Sequence, residues 1–274
     1  MEGVKSPASR PSRRVYLLVT LFAFALVLLP FLFWYDTWFG RRLTDDKIGQ
    51  YLNEAQKPRH AQHALVQIGE RLGRGDESVR RWYPRIVELA SSPSEELRQT
   101  AAWIMGQDTR YAEFHPALVK LLHDSSPLVR RNAALSLSGF RDPAARPELH
   151  AMLRPATIVS LAAGAVKFRL QIGEYVNRGT LVARVGETEV RSDLPGEVRQ
   201  LFEPEGGEVA AGQALVELSP DQSHAWEALR ALYLVGDRED LEDVERYARG
   251  VPGMPPKIQQ QAARTLHEIQ NRSR

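Results

Sequence analysis

Glu96-Leu97-Arg98-Gln99-Thr100-Ala101-Ala102-Trp103 returns 32 residues later as Leu128-Val129-Arg130-Arg131-Asn132-Ala133-Ala134-Leu135. A self-match at that period is the mark of stacked supersecondary units, each too small to bury its own apolar face. A turn precedes each copy, Ser91-Ser92-Pro93-Ser94 and Asp124-Ser125-Ser126-Pro127, with proline suited to a helix's first turn, where its missing N–H is not needed. An amphipathic segment lies before each turn, Arg85–Ala90 and Ala117–Leu122. The unit is therefore helix, turn, helix.

Weaker copies flank this pair. Ala61-Gln62-His63-Ala64-Leu65-Val66-Gln67-Ile68-Gly69 is one; the other follows Pro255-Pro256, where Ile258, Gln259, Ala262, Ala263 and Leu266 keep the spacing of Leu97, Arg98, Ala101, Ala102 and Met105. Apolar residues at i, i+4, i+5 and i+8 form one buried stripe, and paired alanines let neighbouring helices approach closely. This pattern of turn, proline, apolar-Arg and Ala-Ala resembles the short bacterial kind of HEAT repeat over residues 43–153 and 221–271. The resemblance implies a curved right-handed solenoid presenting an extended surface to a partner. It also implies that Arg98 and Arg130 support inter-repeat turns; Ala61 and Gln259 stand at that position in the outer copies. Amphipathic helices packed without a superhelix are the alternative.

Between Pro155 and Ser219 the periodicity changes to Gly, Val and alternating apolar residues, with a duplication of its own. Ala163-Gly164-Ala165-Val166 matches Pro195-Gly196-Glu197-Val198, and Gly173-Glu174-Tyr175-Val176 through Gly179 matches Gly206-Gly207-Glu208-Val209 through Gly212. Each half reads as a strand (165–170; 197–202), a Gly-rich turn, a short strand, a Gly turn and a strand (180–185; 214–218). Two interleaved halves make a flattened β sandwich. The repeated G-x-x-V-x-x-G with its flanking strands resembles the biotinyl/lipoyl family, whose barrel-sandwich hybrid fold serves swinging-arm carriers and membrane-fusion adaptors of export pumps. In carriers, the resemblance implies, a modified lysine occupies the hairpin between the halves. Here that junction is Val185-Gly186-Glu187-Thr188-Glu189-Val190, and Lys167, the only lysine between Arg154 and Ser219, lies in the opening strand. No lipoyl or biotinyl cofactor is expected, and the few junction residues leave no room for the long coiled-coil hairpin common in adaptors. The helix expected over 147–153 reads as the first half of a fourth repeat and 225–234 as its second, with the β segment inserted at the turn between them. Helices over 240–249 and 256–270 make a final capping repeat or an unrelated terminal pair.

Val15–Tyr35 is a run of 21 residues without a charge. At ~1.5 Å per helical residue it spans roughly 31 Å, a bilayer hydrocarbon core. Tyr16 borders one end and Trp34, Tyr35 and Trp38 the other, where amphipathic rings favour the headgroup level. A cleaved signal peptide competes, but the run exceeds the usual ~7–15 residues and ends in bulky aromatics. Arg13 and Arg14 abut one end, while Arg41, Arg42 and Lys47 at the other are balanced by Asp36, Asp45 and Asp46, which favours a cytoplasmic N-terminus by a small margin. The expectation is a single-pass protein of a bacterial inner membrane: a basic cytoplasmic tail over 1–14, a transmembrane helix over 15–35 and a periplasmic body.

The chain has 274 residues, 36 Lys+Arg against 34 Asp+Glu, 43% hydrophobic residues and no cysteine. Disulfide scaffolds, cysteine-ligated metals and cysteine nucleophiles are excluded. Lys5, Arg10, Arg13 and Arg14 against Glu2 give the first 14 residues a surplus of three, so the remainder sums to about minus one. Basic charge confined to a tail argues against nucleic-acid binding.

Chemistry-bearing motifs are sparse. His60 and His63 share a helix face with no carboxylate at ligand spacing in that turn, and read as solvated surface. Asp45-Asp46 and Glu95-Glu96 read as negative charge at helix N-termini, not acid/base pairs. Neither a phosphate-cradling G-x-x-x-x-G-K-[ST] nor a G-x-S-x-G elbow occurs. Arg74-Gly75-Asp76 is a chance adhesion tripeptide in a turn. Of Arg130-Arg131, one supports the turn and the other is exposed. No catalytic, cofactor-binding or metal residue is therefore named. The fold class expected is an α-helical HEAT-like solenoid with an all-β lipoyl-like insert over 155–219 and one N-terminal transmembrane helix. The function expected is non-enzymatic: a membrane-anchored scaffold docking protein partners at an integral membrane complex, or else an accessory adaptor of an export transporter.

Overall fold

The computed structural model describes residues 13–38, 42–54 and 57–272. Helix α1 spans Arg13–Trp38. Its described apolar side chains from Tyr16 to Leu32 are mostly half or more exposed. Among the described residues no helix is long and apolar enough to cross a membrane. The described side chains of α1 stop at Leu32, so the aromatic border expected at Trp34, Tyr35 and Trp38 lies outside them, as do Lys5, Arg10 and Arg41.

Beyond α1 the described helices come in pairs: α2 (Asp45–Asn53) with α3 (Pro58–Gly73), α4 (Tyr83–Leu89) with α5 (Glu95–Met105), α6 (Phe114–Leu121) with α7 (Pro127–Gly139), α8 (Arg146–Leu153) with α9 (Gln222–Val235), and α10 (Leu241–Arg249) with α11 (Pro256–Arg272). The second helices stack in order, α3 on α5, α5 on α7, α7 on α9 and α9 on α11. One hydrophobic core runs from Ile48 to Ile269 and includes the C-terminal pair. α11 buries only Ile258, Ala262, Thr265 and Ile269; its other face is polar, as the open end of a stack requires.

The stripes of α5 and α7 explain the close stacking. Leu97, Ala101, Ala102, Ile104 and Met105 of α5 and Val129, Ala133, Ala134 and Leu137 of α7 are buried, and alanine brings axes toward the short end of the ~8–10 Å range. Glycine takes this further where α3 meets α5: a Cβ on Gly69 would lie 2.2 Å from the Trp103 ring. The hydroxyl of Ser136 donates to Ala102 O at 2.8 Å, and Thr265, at the equivalent place in α11, donates to Leu229 O at 2.8 Å. These buried bonds tie each helix to the one before it.

The repeated arginines close the turns. Arg98 Nη1 donates to Ser92 O and Pro93 O at 3.0 and 3.2 Å, and Arg130 Nη1 repeats this on Asp124 O and Ser125 O at 2.8 and 3.2 Å. Arg98 also grips Asp124 of the next turn through Nε and Nη2, at 2.6 and 2.9 Å; Arg130 reaches Glu148 of α8 at 3.1 Å. Gln259 makes a different bond, donating to Ala248 O in the last turn of α10 at 3.1 Å. Ala61 can make neither, and Arg85 of α4 instead covers Leu52 O with two bonds of 3.1 and 3.0 Å.

Between α8 and α9 lies a separate antiparallel region of eight strands with its own core. They are β1 (Ala156–Val159), β2 (Gly164–Phe168), β3 (Tyr175–Val176), β4 (Leu181–Val185), β5 (Thr188–Arg191), β6 (Gly196–Leu201), β7 (Glu208–Val209) and β8 (Ala214–Leu218). The sheets are β1-β8-β6-β3 and β5-β4-β2-β7. Exchanging β1–β4 with β5–β8 turns one order into the other, so the duplicated halves interleave. Strands expected at 165–170 and 197–202 end earlier, at Phe168 and Leu201, and β1 and β5 are additional. The twofold relation extends to turns: Ser160 Oγ donates to Ala162 O and Ser192 Oγ to Leu194 O, both at 2.5 Å. Gly212 N donates to Ser160 O and Gly179 N to Ser192 O, at 2.8 and 2.7 Å. Both glycines have φ of 82°, which costs them nothing and would strain a side chain. Ala156 pairs with Leu218, so the strands leading in from α8 and out to α9 are adjacent and the insert opens the helical turn without spreading it.

Candidate interaction surface

A polar pocket of about 580 Å³ lies beside α3, lined by Arg42, His63, Gln67, Glu70, Arg71, Arg74 and Asp76; the surface that crosses the stack is a register row. The residue preceding α3, α5, α7, α9 and α11 is Lys57, Ser94, Ser126, Asp221 and Pro255. Nine positions later in each helix stand Val66, Trp103, Leu135, Arg230 and Arg264. The helices stack in order, and of these residues Leu135, Arg230 and Arg264 border one groove, while Trp103 lies over Gly69 of the preceding second helix. Trp103 is 39% exposed despite lying on Gly69, Val66 and Leu135 are half-buried, and both arginines are exposed. A groove of about 520 Å³ follows the C-terminal part of the row, with Leu135, Ala231, Tyr233 and Leu234 on its apolar side and Glu227, Arg230 and Arg264 at its rim. Gly106 and Gly139 open it: a Cβ on Gly106 would lie 2.7 Å from Ser136 Cβ.

Two buried polar junctions hold the stack around the insert. Arg131, expected on the surface, is buried between Glu148 of α8, 3.7 Å away, and His224 from beyond the β region. Its Nη1 donates to His224 Nδ1 of α9 at 2.7 Å. Burial, and then the Arg131 charge, push His224 down to about 4, so the ring is neutral and accepts. Asp221 accepts from the backbone N–H of Ser223 and His224 and from the Tyr175 hydroxyl of β3, at 2.9, 3.0 and 2.6 Å. Burial and that bond to the carboxylate raise Tyr175 to about 12. The second junction joins α8 to α10. His150 meets Asp240 through Nε2 and Asp243 through Nδ1, the latter at 2.7 Å. Arg146 adds Asp240 at 2.9 Å and Asp237 at 2.5 Å, and Arg154 adds Asp243 at 2.8 Å. The Asp240 hydrogen bond, against the cost of burial, raises the His150 pKa.

Of the sequence-selected polar residues, Asp45 and Asp76 meet on Arg71, and His63, Arg74 and Asp76 line one pocket beside α3. His60 is not freely solvated: its Nδ1 meets Glu54 at 2.6 Å and its ring stacks on Tyr51, centroids 4.2 Å apart. The carboxylate comes from the end of the preceding helix, outside the turn in which a ligand would be sought. His63 bonds Gln67 at 2.8 Å. Asp45-Asp46 and Glu95-Glu96 sit in the first turns of α2 and α5; Asp45 pairs with Arg71 and Arg81, and Glu95 with Arg178 of the β3–β4 turn. Asp76 of the Arg-Gly-Asp triplet caps the following turn through Ser78 N and pairs with Arg71 at 2.8 Å. Among the described residues no group of three or more His, Cys, Asp or Glu could hold a metal ion. The β4–β5 hairpin turns on Gly186-Glu187, with Val185 paired to Thr188, and Lys167 is in β2 opposite Arg184. These residues do not fit a lysine-linked swinging cofactor.

Residues 83–166 match the family model for HEAT repeats. The match covers α4 to α8 and the repeat arginines, and its last stretch falls on β1 and β2, where the helical unit is interrupted. No curated protein matches the chain.

Proposed function

We propose that the protein is a non-enzymatic scaffold whose stacked second helices dock a protein partner, with residues 15–35 tethering it at a membrane. The single observation that carries this reading is the row of Val66, Trp103, Leu135, Arg230 and Arg264, in which Trp103 and both arginines are exposed. Tryptophan and arginine are the residue types enriched at binding hot spots, and HEAT repeats commonly serve such contacts. The exposed apolar side chains of α1 support the tether, because an apolar helix left in water forfeits ~25 cal/mol for each Å² that lipid would cover. On this reading the N-terminus is cytoplasmic, the body periplasmic and the partner an integral membrane complex. The interleaved β halves are read as an unmodified lipoyl-like sandwich. The two-residue β4–β5 hairpin gives it no reach of its own, which favours the scaffold over an export-pump adaptor. Crosslinking in native membranes, followed by detergent co-purification of the full chain, tests the proposal. A defined partner recovered in stoichiometric yield supports it; an isolated monomer from every preparation refutes it.

A further inference from the structure

The row changes character along its length, from Val66, Trp103 and Leu135 to Arg230 and Arg264. At the cationic end a third arginine joins it. Arg141 follows α7 with φ of 60°, the only non-glycine residue with positive φ among those described. Its Nη1 donates to Leu234 O at 3.1 Å, on the groove wall. Glycine is the usual residue where a helix ends in this conformation, and a side chain there costs of order 1 kcal/mol. Glu227 is the one acidic residue at the groove rim and pairs with Arg230 at 3.3 Å. Neither Arg141 nor Arg264 has a carboxylate within ion-pair distance among the described residues.

We infer that this row is a track for an extended acidic segment of the partner protein. Apolar side chains of the segment lie over Trp103 and Leu135, and its carboxylates over Arg230, Arg264 and Arg141. The assignment rests on the scaffold reading and adds the partner's chemistry to it. Five helices at ~9 Å spacing make a track of about 36 Å. An extended chain covers that in about eleven residues at ~3.3 Å each.

Fluorescence polarisation with the full chain in detergent micelles tests this. The probe is a fluorescein-labelled peptide of about twelve residues, apolar in one half and glutamate-rich in the other. Controls are the same peptide with lysine for glutamate and a single-stranded oligonucleotide of similar length. The glutamate probe is expected to bind at least tenfold tighter than the lysine probe. The double variant Arg230→Glu/Arg264→Glu, both exposed, should weaken binding at least tenfold with unchanged circular dichroism. Arg141→Gly, which glycine's backbone accommodates, should weaken it about threefold. Equal binding of both peptides, tighter binding of the oligonucleotide, or indifference to all three arginines overturns the inference. If a partner still co-purifies in that event, the scaffold reading stands and only the acidic-segment assignment falls.

Discussion

Arg98 and Arg130 occupy the same repeat position and cap equivalent carbonyls, yet their replacement by alanine should differ several-fold in cost. Arg98 is joined to Asp124 by a two-pronged pair, with side chains 15% and 8% exposed. In Arg98→Ala, Asp124 keeps only the Ser126 N–H at 2.9 Å and stays buried with its charge, while Ser92 O and Pro93 O lose their donor. Breaking one side of a buried pair costs about 3–5 kcal/mol. Arg130 makes a single longer bond to Glu148, whose side chain also has Arg131 at 3.7 Å, and Arg130 is 31% exposed. Its loss is closer to that of ordinary hydrogen bonds, about 1–2 kcal/mol. At roughly 2–4 °C per kcal/mol for a chain of this size, the melting temperature should fall by about 10 °C for Arg98→Ala and about 4 °C for Arg130→Ala. Far-ultraviolet circular dichroism of the full chain in detergent measures both. Arg98→Lys keeps the charge without the fork and should recover part of the loss. The Arg98 bond holds the Asp124 pKa below its ordinary value. The wild-type advantage should therefore be complete above pH ~4, the unfolded value, and fade as pH falls through the folded one. Equal losses for the two alanine variants, or a larger one for Arg130→Ala, would refute the claim that the buried fork, and not the shared turn contact, dominates.

Three further outcomes follow from the packing. The raised His150 pKa makes its contribution complete below pH ~6.5 and lost as pH rises through the folded value; His150→Gln should remove that alkaline-side decline in a melting-temperature profile. Thr265→Val deletes the buried hydroxyl to Leu229 O and should cost about 1–2 kcal/mol in chemical denaturation, with Leu266→Ile as a neighbouring control. Replacing 156–218 by a short Gly-Ser linker should leave the helical core cooperative, since β1 and β8 leave it side by side and the two cores are separate; loss of the helical signal on this deletion would show that the insert holds the stack together.

Much of the helical architecture was legible because alanine pairs, turn prolines and the arginine after the apolar residue recur at one period. The duplication of the β region was legible from its glycines, whose positive φ tolerates few other residues. Strands β1 and β5 were not, because Ala-Thr-Ile-Val and Thr-Glu-Val-Arg are each four residues long and gain their identity only by pairing with β8 and β4. The burial of Arg131 is not legible locally, because its hydrogen-bond partner, His224, stands 93 residues away across the insert. The acidic partners of Arg146, His150 and Arg154 are equally distant in sequence, so a local reading had no way to pair them. The proposed row is written in the sequence as the ninth residue after each second-helix boundary. Its meaning needed the stack, since only packing of α7, α9 and α11 brings Leu135, Arg230 and Arg264 to one groove.

Site-specific photo-crosslinking in native cells tests the central claim most directly, with a benzophenone side chain placed in turn at Trp103, Arg230 and Arg264 on the row and at Glu88 and Lys120 on the first helices. The account predicts adducts of one common partner from the three row positions and none from the other two. Adducts spread equally over both sets, or confined to Glu88 and Lys120, would contradict it.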